Sequence, residues 1–117
     1  GKKLFLHKIE GEDMFFYHIS SLDELIEGYK GILEPKGDTE RFSYSLYKDS
    51  RILILMPGVA FDIYGYRMGY GKGFYDRFLA DKEILRTYSI GIGYKCQQVE
   101  KLPVDEYDIK PYQVILV

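Results

Sequence analysis

The sequence predicts an α/β fold with a mostly parallel central sheet flanked by helices, and three observations carry that expectation. The unbroken apolar run Ile52-Leu53-Ile54-Leu55-Met56, stopped by Pro57-Gly58, reads as a strand buried on both faces, as in parallel sheets covered by helices. Two further β-prone runs, Ser89 to Tyr94 and Gln113 to Val117, follow it. Between the central run and the first of these, Phe74, Tyr75, Phe78 and Leu79 fall at helical spacing, so strands and helices alternate.

Taken in order, Leu4 to Ile9 and Met14 to Ile19 are β-prone runs separated by the polar Glu10-Gly11-Glu12-Asp13, which predicts a hairpin. Ser21-Leu22-Asp23-Glu24 then fits a capping box. Leu22, Leu25, Ile26 and Tyr29 recur at i, i+3, i+4 and i+7, predicting a short amphipathic helix that ends near Gly31, before Pro35. Residues 36–50 are polar and read as a loop ahead of the central strand. The last helix is expected to start at about Gly73, and no internal repeat or low-complexity linker interrupts the chain.

A chain of 117 residues is most simply one domain, 1–117, able to bury about 65% of the surface its unfolded form exposes. Its 46% hydrophobic and 29% charged residues are those of an ordinary globular protein. A net charge of −2 gives no electrostatic case for nucleic acid or an anionic membrane as a bulk partner. The single cysteine, Cys96, excludes an internal disulfide and suits a reducing compartment. No apolar run approaches the ~20 residues that cross a bilayer. The expected setting is cytoplasmic. The opening Gly1-Lys2-Lys3, in place of methionine, suggests a processed or truncated chain.

The stretch Tyr64 to Leu79, YGYRMGYGKGFYDRFL, is where chemistry concentrates. Gly65, Gly69, Gly71 and Gly73 let backbone approach a ligand closely, and their amides with those of the following helix start suit an anion. Arg67 adds a planar fork and Lys72 a mobile point charge, so the sum reads as a phosphate cradle. It lies after the central strand, where open α/β sheets bind ligands. Neither standard phosphate motif is present. Counting back from Lys72, the first glycine of a Walker loop falls at Tyr66, and the last glycine of the dinucleotide fingerprint falls at Phe74. An RNA-reading strand motif begins at Lys72-Gly73-Phe74 but breaks at Tyr75 and Asp76. A purely structural surface loop is the alternative.

The residues Met56-Pro57-Gly58-Val59-Ala60-Phe61-Asp62, then Gly65, Arg67, Gly69, Gly71, Lys72, Gly73, Tyr75-Asp76-Arg77 and Leu79, closely resemble the signature of the 5-formyltetrahydrofolate cyclo-ligase family. Gln97, Leu102-Pro103 and Asp108 resemble its second block, and Gly31-Ile32 with Glu34-Pro35 resembles the loop before its central strand. The resemblance implies a Rossmann-like, three-layer fold truncated at the N-terminus. It also implies formation of 5,10-methenyltetrahydrofolate from 5-formyltetrahydrofolate with ATP and Mg²⁺. In that chemistry the formyl oxygen attacks the γ-phosphate, N10 adds to the activated carbon, and phosphate leaves, so the protein mainly positions groups and neutralises charge.

Carried over by position, Arg67, Met68, Gly69, Tyr70, Gly71, Lys72, Gly73, Phe74 and Tyr75 match the ATP-binding loop, with Arg67 and Lys72 as its catalytic charges. Tyr70 to Phe74 also match positions that approach the folate, and Glu34 is a candidate for a pterin amide. Asp76 and Asp108 match the magnesium-associated acids. From the residues alone, Asp76 is a favourable helix start and Asp108 a turn residue. The family's N-terminal segment, with an ATP-binding lysine and arginine, has no counterpart in these residues. The implied possibilities are a fragment, a short relative that binds nucleotide or folate without turnover, or a half-site completed by self-association.

Overall fold

The computed structural model describes residues 2–69, 72–80, 82–104 and 108–117. Contacts divide the chain into two compact units, Gly1–Ser50 and Arg51–Val117.

The first unit is built on the expected hairpin. Strands β1 (Leu4–Glu10) and β2 (Asp13–Ile19) pair antiparallel from Leu4↔Ile19 to Glu10↔Asp13, and Gly11 turns the chain at φ 67°. Met14, Tyr17 and Ile19 are buried, and the Tyr17 hydroxyl donates to Glu10 while accepting from Arg41 Nη2 at 3.1 Å.

The helix predicted over Leu22 to Tyr29 does not form. Its capping box does: the Ser21 hydroxyl accepts from Asp23 N–H at 3.1 Å, and Glu24 accepts from Ser21 N–H at 2.7 Å. The box closes only a 3₁₀ turn, Leu22–Glu24. The chain then extends into β3 (Ile26–Glu27), makes a second 3₁₀ turn at Tyr29–Gly31, and returns as β4 (Leu33–Glu34) antiparallel to β3. The reason lies in burial: Leu22 and Ile26 stay exposed, so no packing offsets the cost of nucleating a short helix. Gly28 permits the alternative, because a Cβ there would lie 2.1 Å from Glu34 Cδ.

The expected loop before the central strand carries structure too. Phe42 N–H donates to the Phe16 carbonyl at 2.7 Å, and α1 (Tyr44–Tyr47) brings Tyr47 onto Phe5 with ring centroids 5.6 Å apart.

The second unit holds β5 (Ile54–Met56), β6 (Ala60–Asp62), β7 (Arg67–Met68), α2 (Phe74–Leu79), α3 (Glu83–Arg86), β8 (Ser89–Gly93), β9 (Gln98–Val99) and β10 (Gln113–Leu116). Strands β5, β8 and β10 form a parallel sheet in the order β10-β8-β5, so the predicted α/β class and all three predicted strands are present. A smaller sheet, β7-β6-β9, contains an antiparallel β6–β7 pair and a parallel β6–β9 pair.

Met56, Phe61, Leu79 and Leu85 are fully buried and form the core of this unit. Phe61 is seated by glycines: a Cβ on Gly91 would stand 2.9 Å from its ring, on Gly93 2.6 Å and on Gly58 3.0 Å. The central strand departs from expectation in one respect. Met56 is buried, but Leu53 and Leu55 are exposed, so the run is covered on one face rather than two. No helix among the described residues is long and apolar enough to cross a membrane.

Candidate functional site

Within the second unit, the glycine-rich stretch divides into a β6–β7 hairpin, a short loop and the start of α2. Asp62 makes the hairpin turn. Its Oδ1 accepts from the N–H groups of Tyr64 and Tyr66, each at 2.9 Å, which is the Asx-turn chemistry of aspartate. Its Oδ2 accepts from Leu102 N–H at 3.0 Å, joining the Leu102-Pro103 segment to the same point. Burial pushes the Asp62 carboxyl up, but the amides of Leu102, Tyr66, Tyr64 and Gly65 outweigh it and hold the group below the usual carboxylate range.

The hairpin delivers Arg67. Its Nε donates to the Pro57 carbonyl at 2.8 Å, and its guanidinium lies 5.1 Å from the centroid of the Tyr75 ring. Gly69 leaves room for that guanidinium, since a Cβ there would meet Arg67 Nη2 at 3.0 Å. On the other side of the loop Gly73 adopts φ 66°, the left-handed region, as the residue before α2. Arg77 reaches back from α2, donates to the Lys72 carbonyl at 2.5 Å and covers the Phe74 ring. Lys72 is exposed and Met68 precedes Gly69 at the end of β7. Tyr70 and Gly71, both expected in the site, lie outside the described residues. Two glycines thus lie close against the guanidinium groups of two arginines that flank the loop, Gly69 against Arg67 and Gly73 against Arg77. Helix α2 has only six residues, too short for a strong helix dipole, and the described cations beside the loop are Arg67, Lys72 and Arg77.

Asp76 stands in the first turn of α2, as expected, and its Oδ1 accepts from Ile109 N–H at 3.0 Å. That bond fastens the residue after Asp108 to the helix start, so the two predicted acids come from segments joined at one point. Among the described residues no group of three or more His, Cys, Asp and Glu side chains converges. Two carboxylates are hard oxygen donors of the kind that suit Mg²⁺, which commonly takes one or two carboxylates with water and phosphate oxygens. The residues fit the group in chemistry.

Gln97 escaped assignment as a site residue in the sequence. Its Nε2 donates to the Gly58 carbonyl at 2.8 Å and its Oε1 accepts from Tyr94 N–H at 2.7 Å, so it clamps the turn that leads from β5 to β6. Asp62 was legible only as part of a signature. An aspartate two residues before a tyrosine-glycine turn was the available signal.

Glu34 belongs to the first unit. It is 4% exposed, with Oε1 accepting from Lys8 Nζ at 2.8 Å and Oε2 from Ile9 N–H at 3.4 Å. Burial raises its carboxyl, and Lys8 with the Ile9 and Tyr29 amides more than reverses this. These contacts make it the buried carboxylate partner of the half-buried Lys8.

A sequence model of the 5-formyltetrahydrofolate cyclo-ligase family matches residues 1–117. The 5-formyltetrahydrofolate cyclo-ligase of Escherichia coli (strain K12) is 39% identical over 113 residues, covering 93% of this chain and 60% of the relative. Among solved structures, the 5,10-methenyltetrahydrofolate synthetase of Aquifex aeolicus superposes with a TM-score of 0.70 at 41% identity, covering 94% of this chain and 53% of that one. The Mycoplasma pneumoniae 5,10-methenyltetrahydrofolate synthetase shares the fold, with a TM-score of 0.67 at 24% identity over 97% of this chain and 55% of its own. The chain therefore spans between half and two thirds of the length of these relatives.

Proposed function

The chain belongs to the 5-formyltetrahydrofolate cyclo-ligase family, and from that premise we propose that it carries the ATP- and magnesium-binding part of a site that cyclises 5-formyltetrahydrofolate to 5,10-methenyltetrahydrofolate, in the cytoplasm. The observation that carries this is the segment around Arg67, where Gly69 lies against the Arg67 guanidinium and Gly73 against that of Arg77, and where Asp76 is tied to the segment bearing Asp108.

In this reading Arg67 and Lys72 neutralise triphosphate charge. The backbone from Met68 through Gly69, Tyr70, Gly71 and Gly73 to Tyr75 lies along the nucleotide, and Tyr70 to Phe74 face the folate. Arg67 is held by Pro57 and Tyr75 before ligand arrives, so little of its side-chain freedom remains to be lost on binding. Asp76 and Asp108 hold Mg²⁺, which when bound supplies charge neutralisation at the phosphates. Glu34 would contact the pterin only through lone pairs left over from Lys8 and Ile9; its observed partners favour a structural role.

A second reading, a nucleotide- or folate-binding relative without turnover, is favoured by the share of the relatives' length that the chain does not span. One binding matrix tests the proposal: parent, Asp76→Asn and Asp108→Asn, titrated with ATP by calorimetry in Mg²⁺ and in EDTA. A carboxylate beside triphosphate repels unless a cation lies between. Each variant should therefore bind more weakly than the parent in Mg²⁺ and equally or slightly better in EDTA. If both variants match the parent in both conditions, the metal assignment is wrong. If the parent binds no nucleotide, the loop is structural.

A further inference from the structure

We propose that Gln97 is a positioning residue: through the turn Pro57-Gly58-Val59 it sets the Arg67 guanidinium where it meets phosphate. Gln97 closes a 3₁₀ turn, Lys95–Gln97, between β8 and β9, and its own backbone is anchored on both sides. Its N–H donates to the Tyr94 carbonyl at 2.9 Å, and Gln98, the next residue, stands in register with Phe61 of β6. From there the side chain reaches residues 39 and 38 positions earlier, where Nε2 donates to the Gly58 carbonyl at 2.8 Å and to the Val59 carbonyl at 3.2 Å. Oε1 accepts from Tyr94 N–H at 2.7 Å. One N–H on one side and two carbonyls on the other leave a single orientation for the amide, and they ask for an acceptor and a two-hydrogen donor at once.

The composition of the turn is what makes this clamp matter. Gly58 imposes little backbone preference of its own, and a Cβ there would stand 3.0 Å from the Phe61 ring, so the turn takes its shape from bonds made to it. Gln97 holds the carbonyls of Gly58 and Val59, while Val59 N–H donates to the Met68 carbonyl at 2.7 Å. The neighbouring Pro57 carbonyl accepts from Arg67 Nε at 2.8 Å. Among the described residues, Arg67 and Gln97 are the two side chains that hydrogen-bond to the carbonyls of this turn. Gln97 therefore bears on Arg67 through one peptide unit and without touching a ligand. A guanidinium matches phosphate through a planar fork, so its plane has to be set in advance. Displacing such a group by about 1 Å is enough to weaken a reaction severely.

The role rests on the nucleotide reading of Arg67 for its purpose but not for its geometry, and two measurements separate them: the Arg67 Nε–H resonance in protein without nucleotide, and ATP affinity in Mg²⁺ by calorimetry. Gln97→Glu keeps the shape of the side chain. Ionised, it turns an oxygen toward two carbonyls; protonated, it donates to one of them, and those carbonyls hold its pKa above the ordinary glutamate value of about 4.3. The Arg67 signal should match the parent's at about pH 5 and lose its hydrogen-bonded shift at about pH 7.5, while the parent keeps that shift at both. ATP affinity relative to the parent at the same pH, a ratio that cancels the titration of ATP itself, should fall about tenfold at the higher pH and recover at the lower. Gln97→Met, of equal length but without either polar atom, should loosen Arg67 alike at both pH values, and Cys96→Ser, exposed and one residue away, should match the parent. A parental Arg67 signal in Gln97→Glu at the higher pH would overturn the role. So would a loss that persists at the lower pH, or weakened ATP binding with Arg67 unmoved, which would place Gln97 against the ligand itself. Should Gln97→Glu unfold at the higher pH, Gln97→Met decides by the same signal. A parent that binds no ATP, with Arg67 still following residue 97, removes the nucleotide reading and leaves the positioning in place.

Discussion

The Asp62 carboxylate gathers amides from both ends of its unit, Tyr64 and Tyr66 in the hairpin turn and Leu102 forty residues on. Replacing it by Asn keeps one acceptor oxygen but turns an NH₂ toward a donor, so stability measured by urea unfolding should fall by about 2 kcal/mol. The pH dependence has a definite sign. The folded carboxyl titrates below its unfolded value, so its contribution is complete above the unfolded pKa of about 4 and is lost as pH falls through the folded value. The parent should lose stability in that acid window more steeply than Asp62→Asn; parallel curves would show that the amides do not favour the charged form. Lys72 belongs to the same scale. If it makes one charge-assisted bond to phosphate, Lys72→Ala should weaken ATP binding in Mg²⁺ by about 1.5 to 3 kcal/mol in calorimetry, and equal affinities would remove it from the site.

Elements here are held more by what glycine leaves out than by long regular spans. Strand β8 reads Ser-Ile-Gly-Ile-Gly, and its two glycines make the hollow that takes Phe61 from β6. Gly93→Ala should cost about 1 to 3 kcal/mol by overpacking, since its Cβ would fall 2.6 Å from the ring and 2.7 Å from Gln97 Oε1. Phe61→Leu, destabilising alone, should recover part of that loss in the double variant; additivity in thermal unfolding would show that the ring is not what Gly93 accommodates. At the start of α2 the constraint is conformational. Gly73→Ala places a Cβ at φ 66° beside Arg77 and should cost about 1 kcal/mol, with a larger proportional effect on nucleotide binding if the loop is the phosphate site.

At the scale of the whole molecule, the chain spans 60% of the Escherichia coli relative, and turnover of 5-formyltetrahydrofolate by these 117 residues alone should be poor or absent when methenyl product is followed by absorbance. A monomer turning over at a rate normal for a full-length relative would show that its residues suffice. Much was legible beforehand because it depends on local pattern. The hairpin at Glu10-Gly11-Glu12-Asp13, the three strands of the parallel sheet, the helix after Gly73 and the glycine-flanked cations all follow from period, turn chemistry and residue type. The capping box at Ser21 formed as written, yet the helix behind it did not, because spacing announces which residues can share a face and not whether anything covers that face. For the same reason an unbroken apolar run announced a strand covered twice, while the chain's own packing buries Met56 completely and leaves Leu55 on the opposite face exposed. The sequence by itself determined the α/β class, the succession of the parallel-sheet strands along the chain and the residue types that the loop brings together. Only the tertiary structure decided that Asp62 ties the β6–β7 turn to Leu102, that Gln97 clamps the turn from β5 to β6, that the segment after Asp108 is fastened to Asp76, and which sheet face stands open, since each depends on contacts between residues more than thirty apart that no local pattern encodes.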